Sequence, residues 1–145
     1  MSDLSRLAYE ELAELRYQIR RFLHFSESVA LKEGIEPRQH QALLAIKAMP
    51  AKEPCTIGAL AERLFLQHQS TVGLVDRLAL RKLVTRAPGH EDGRQVIVNL
   101  TQHGEDILKH LSLTHRKELK ESAPALSRAL RAVIRKSGRK TKSTK

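Results

Sequence analysis

The amino-acid sequence predicts a mainly α-helical fold with one small β-hairpin. Apolar residues recur at spacings of three and four through most of the chain, which is the mark of helices with one buried face. A single segment departs from that rhythm. Val84 on one side and Val96, Val98 and Leu100 on the other flank a turn holding Pro88, Gly89 and Gly93, as two short strands do. With 145 residues, 41% of them hydrophobic, the chain has material for one domain with helical extensions and a real core.

Leu4, Leu7, Leu12, Leu15, Ile19, Phe22 and Val29 form one stripe and predict a helix over 4–31, ended by Gly34. Pro37 suits the first position of a second helix, which runs through Leu43, Ile46 and Met49 to Pro50. "PAKEPC" reads as a loop. Thr56 is expected to cap a short third helix bearing Ile57, Leu60, Ala61 and Leu64. After a break over 65–68, a fourth helix runs to about Lys82 with Val72, Val75, Leu78 and Ala79 as its buried stripe. Beyond the hairpin, Thr101 caps a fifth helix with Ile107, Leu108, Leu111 and Leu119 inward. Pro124 is expected to open a sixth, with Leu126, Ala129, Leu130, Val133 and Ile134 on one face. No internal repeat is present.

A short helix, a tight turn, a second helix and a hairpin, in that order, make a winged helix-turn-helix. That arrangement seats its second helix in the major groove of duplex DNA. The stretch "QHQSTVGLVDRLALRKLVTR" fits the role. Gln67, His68, Gln69, Ser70 and Thr71 crowd the start of the fourth helix with donors and acceptors of the kind that read base edges. Ser70, Gly73, Arg77 and Arg81 fall opposite the buried stripe. Gly73 costs a helix about 1 kcal/mol relative to alanine. It either lets a groove wall approach or avoids a clash with a neighbouring helix. At the hairpin tip, Arg94 is placed to enter the minor groove, with Asp92 expected to hold its guanidinium.

Net charge is +10, and its placement matters more than its total. No acid follows Glu121, whereas Arg128, Arg131, Arg135, Lys136, Arg139, Lys140, Lys142 and Lys145 do. A polyanion partner or a solvated tail accounts for that. Only five aromatic residues exist, too few for a platform on which single strands stack. The chain divides into a dimerisation helix at 1–36, the winged module at 37–100, dimerisation helices at 101–136 and a basic, mobile tail at 137–145. Apolar stripes on the outer helices exceed what a small central module covers. A homodimer joined near Leu12, Leu15, Ile19, Leu126, Leu130 and Val133 would bury them.

Other chemistry is poorly represented. No apolar run approaches the roughly 20 residues of a membrane span, and no secretory signal opens the chain, so a cytoplasmic location is expected. Cys55 stands alone, before the Thr56 cap, where a helix N-terminus favours a thiolate; an inert thiol is the competing reading. The seven histidines make no tight metal-ligand set, and no cofactor is expected. Nucleophile elbow, phosphate loop, zinc-protease and dinucleotide motifs are all missing, which argues against an enzyme.

The stretches "IGALAERLFLQHQSTVGLVDRLALRKLVTR" and "HEDGRQVIVNLTQHG" resemble the MarR family of bacterial transcription regulators, and the similarity extends over about residues 10–135. The resemblance implies a homodimeric repressor or activator bound to pseudo-palindromic duplex DNA. It implies that Arg94 is the minor-groove arginine and Asp92 the acid that positions it. It also implies a small aromatic or lipophilic effector, for which Arg16, Arg20, Phe22, Phe25, His40 and Leu44 are the residues to examine. Lys82 stands where the family usually has glycine, and Gly73 where it often has a longer polar residue. The competing function is a sequence-tolerant architectural DNA-binding protein that relies on the basic tail.

Overall fold

The computed structural model describes residues 3–139, with side chains described through Arg135. The chain runs α1 (Arg6–Lys32), α2 (Pro37–Ala48), α3 (Ile57–Leu64), α4 (His68–Leu80), β1 (Val84–Pro88), β2 (Val96–Leu100) and α5 (Gln102–Arg139). It forms two compact units whose limits fall inside α1 and α5. Among the described residues, one holds 3–28 and 114–139; the other holds Val29–Leu113. The stretch expected as a tail therefore starts within α5, and 140–145 lie outside the described residues.

The second unit is built around Leu43, Leu60, Leu74, Leu78, Leu83 and Leu111, all fully buried. Each such side chain contributes roughly 1.5–3 kcal/mol by leaving water. β1 and β2 pair antiparallel with Val84 opposite Leu100 and Pro88 opposite Val96. The α2–α3 loop joins this hairpin as a third, minimal strand. Val98 N–H donates to Cys55 O at 2.8 Å, and Thr56 bridges to Ile97. Thr56 then caps α3, its Oγ1 accepting Ala59 N–H at 3.1 Å. Thr101 likewise opens α5. Its Oγ1 accepts Gly104 N–H at 3.0 Å and donates to Lys82 O at 2.6 Å. At Gly104 a Cβ would collide with the carbonyl oxygen of Leu83, so only glycine allows α5 to start this close to β1.

Three helices end in the same way. At α1, α3 and α4 a residue one or two positions past the helix is left-handed, and the next N–H reaches back five residues: Ile35 to Ala30 O, Leu66 to Ala61 O and Leu83 to Leu78 O, at 2.9–3.0 Å. This is the Schellman closure, which prefers glycine. Only Gly34 supplies one. Phe65 (φ 53°) and Lys82 (φ 59°) take the conformation as ordinary L-residues, at a cost of roughly 1–2 kcal/mol each. The lysine that departs from the family pattern thus ends α4 as a glycine would.

The expected fifth and sixth helices are one 38-residue helix with Pro124 inside it. The proline removes one hydrogen bond to Lys120 O, an exposed residue whose carbonyl water can serve. Continuity follows from phase. His115, Leu119, Ser122, Leu126, Ala129 and Val133 keep one shielded stripe on both sides of Pro124. In the first unit that stripe includes His115, whose Nε2 lies 2.7 Å from Ser26 Oγ and whose ring meets Phe22 and Phe25 edge-on.

Candidate nucleic-acid interface

The start of α4 is an open polar surface. Gln67 is the N-cap by backbone geometry, but its side chain bonds to no cap N–H. Gln67, His68, Gln69 and Ser70 are all exposed. The first N–H groups of the helix add further donors.

Thr71, expected among these contacts, does not belong with them. It is fully buried, and its Oγ1 donates to Gln67 O at 2.9 Å. The buried stripe is Thr71, Leu74, Val75 and Leu78, so Val72, expected inside, is 37% exposed instead, and Ala79 is only partly buried. A threonine whose hydroxyl is satisfied by the carbonyl four residues earlier behaves as an apolar residue, and this shifts the stripe by one position.

Gly73 has open space before it. Among the described residues a Cβ there would meet only the flexible end of Arg77, with Nη1 at 3.6 Å, an ordinary contact. Helix-to-helix crowding is therefore not why glycine stands here. The two arginines behind it lean toward the start of α2. Arg77 Nε lies 3.8 Å from Glu36 Oε2, and Arg81 Nη1 donates to Gln39 Oε1 at 3.1 Å. Gln39 is buried and its Oε1 also accepts Glu36 N–H at 3.1 Å, so Arg81 serves first as a tie between α4 and α2. The Arg77–Glu36 pair is half exposed and long. Such pairs are worth about 0–1 kcal/mol, so Arg77 is readily released to a stronger anion.

Asp76, on the same helix, pairs with Arg86 of β1 and fixes the hairpin to α4. The loop at the hairpin tip closes on itself, with Gly89 N–H on Gln95 O at 2.8 Å and Gln95 N–H on Asp92 O at 3.1 Å. Asp92 Oδ1 accepts the backbone N–H of Arg94 at 3.0 Å. The acid thus shapes the turn that presents Arg94, where a grip on the guanidinium was expected. Arg94 itself is exposed.

The residues named for an effector fall in both units. Phe22 and Phe25 line a cavity of about 240 Å³ in the first unit, with Gln18, Arg21, Leu119 and Leu126. Arg16 and Arg20 are exposed and do not line it. His40 is buried and Leu44 half exposed, both in the second unit. Of the residues named for dimerisation, Leu12, Ile19 and Leu130 are exposed, and Leu15, Leu126 and Val133 are partly so.

Cys55 is buried, and desolvation pushes its thiol pKa up. Burial favours the protonated form, in keeping with the inert-thiol reading. Among the described residues no group of His, Cys, Asp and Glu is arranged to hold a metal, and no helix is long and apolar enough to cross a membrane.

A helix-turn-helix whose second helix opens in polar side chains, followed at once by a hairpin tied to that helix, defines the winged helix-turn-helix class. The sequence model of the MarR family matches residues 33–95. An HTH-type transcriptional regulator of Mycobacterium bovis is 27% identical over 113 residues, 78% of this chain and 79% of that one. A MarR family protein from Bacillus stearothermophilus has the same fold, with TM-score 0.71 and 22% identity over 94% of this chain and 99% of the other. A mutant of S. aureus MepR, solved bound to an oligodeoxyribonucleotide, matches with TM-score 0.64 and 17% identity over 98% and 99% of the two chains. Over its winged module this chain is similar to the MarR family of transcriptional regulators, and its fold is the one those solved structures share.

Proposed function

We propose that this regulator binds a pseudo-palindromic DNA duplex as a homodimer, with the start of α4 in the major groove and Arg94 in the adjacent minor groove, and that it acts as a repressor. The observation that carries the reading is the exposed, uncapped run Gln67–Ser70 leading into Gly73, where nothing but a movable arginine stands in the way of a groove wall. Glutamine pairs bidentately with adenine, and a helix N-terminus accepts phosphate. Exposed leucines and isoleucines along α1 and α5, with Leu130 at 47% and Ile134 at 61%, support a second copy as their cover. The MepR complex with an oligonucleotide supports duplex binding by analogy of fold.

A small aromatic or lipophilic effector is part of the same proposal. The cavity walled by Phe22, Phe25, Leu119 and Leu126 suits an aromatic ring, and Arg21 at its edge suits an acid group.

Selection of duplexes from a random pool by the full-length protein tests the reading. The expected product is an inverted repeat with half-sites about one helical turn, ~34 Å, apart. A pool that enriches no sequence contradicts it and favours the architectural alternative, which shows little preference and a steep salt slope.

A further inference from the structure

Within 67–73 one exposed side chain does not match its neighbours. Gln67, His68, Gln69 and Ser70 are polar and Thr71 is buried, but Val72 lies on the surface, where it has no hydrogen-bonding group to offer. We propose that Val72 reads the C5 methyl of a thymine in the bound duplex. The inference rests on α4 being the recognition helix.

Thymine's methyl is the one apolar group that a base pair presents in the major groove. A valine there discriminates by covering that methyl, and by nothing else. The surroundings leave it free to do so. Gly73, next in the chain, raises no wall beside it. Asp76, one turn further on, is drawn to Arg86 of β1, so its carboxylate is engaged with the hairpin. Gln69 stands one turn earlier and is exposed. Three residues of helix rise about 4.5 Å, against ~3.4 Å between base pairs, so Gln69 and Val72 address the same pair or adjacent pairs. Glutamine's best partner is adenine and valine's is thymine. The half-site should therefore hold an A·T pair under the first turn and a half of α4.

The test uses the full-length protein and the duplex it selects. Each thymine is replaced singly by deoxyuridine, which deletes the methyl and keeps every hydrogen-bonding group. Wild type should lose affinity about threefold to fivefold at one or two positions per half-site, the worth of one covered methyl. Val72→Ala should bind the thymine and uracil duplexes equally. Wild-type indifference to every uracil substitution, or a penalty that persists in Val72→Ala, overturns the inference and leaves the duplex reading standing. Failure of wild type to select any duplex overturns both. The uracil series on wild type needs no variant to fold, and Val72 lies outside the core in any case.

Discussion

Arg77 Nη1 lies 3.6 Å from where a Cβ would stand at Gly73, and among the described residues nothing else beyond the adjoining helix backbone comes within 4 Å. The protein itself therefore does not need glycine at this position. Gly73→Ala should raise folding stability by about 1 kcal/mol, measured by urea unfolding, because alanine is the better helix former. The same change should weaken binding to the selected duplex roughly tenfold or more, as one lost close approach in a specific interface does. A variant that is more stable and binds as tightly would show that the notch serves no groove.

Phe65 and Lys82 occupy left-handed positions that glycine fills without strain, and Phe65 is 96% exposed, so its ring contributes almost no packing. Phe65→Gly and Lys82→Gly should each stabilise the protein by roughly 1 kcal/mol in thermal or urea unfolding. A loss of stability in either would mean that the side chain makes contacts worth more than its backbone strain.

At the hairpin, Asp92 acts on the backbone N–H of Arg94. Asp92→Asn keeps an oxygen at that place and should keep most duplex affinity, whereas Asp92→Ala should lose several-fold through a looser turn. Arg94→Ala should lose tenfold or more with the fold unchanged by circular dichroism. If Asp92→Asn is as damaging as Asp92→Ala, the carboxylate's charge is what matters and the turn is secondary.

Burial raises the Cys55 thiol pKa, so the folded chain holds that proton more tightly than the unfolded chain does. The stability this contributes is complete below the unfolded thiol's range, near pH 8.5, and is lost as pH rises from there through the higher folded value. At pH 7.5 iodoacetamide should modify native Cys55 at least about tenfold more slowly than unfolded Cys55. Peroxide should leave duplex binding unchanged. Equal alkylation rates would contradict the buried, protonated thiol.

Much of this was legible before the fold was known, because its signals are local. The order of elements followed from apolar spacing, and the caps at Thr56 and Thr101 from hydroxyls standing before periodic runs. What escaped depended on single hydrogen bonds or on distance. The stripe of α4 was misphased because Thr71 buries a hydroxyl that the Gln67 carbonyl satisfies. Pro124 reads as a helix start because proline suits a first turn, yet the in-phase stripe from His115 to Val133 crosses it without a gap and the helix continues. The left-handed closures at Phe65 and Lys82 carry no glycine to announce them. Arg81 was placed by its face, and only the packing of α2 shows that Gln39 draws it aside. The Phe22–Phe25 cavity joins residues about a hundred positions apart in the chain, which periodicity does not connect.

The central claim is that the open, polar start of α4 and the Arg94 hairpin read duplex sequence. The most direct measurement is the affinity of the full-length protein for its selected duplex and for a scrambled duplex of equal length, side by side at physiological salt. A ratio of about 10³ or more is predicted. Equal affinities, with binding that fades steeply as salt rises, would contradict the claim.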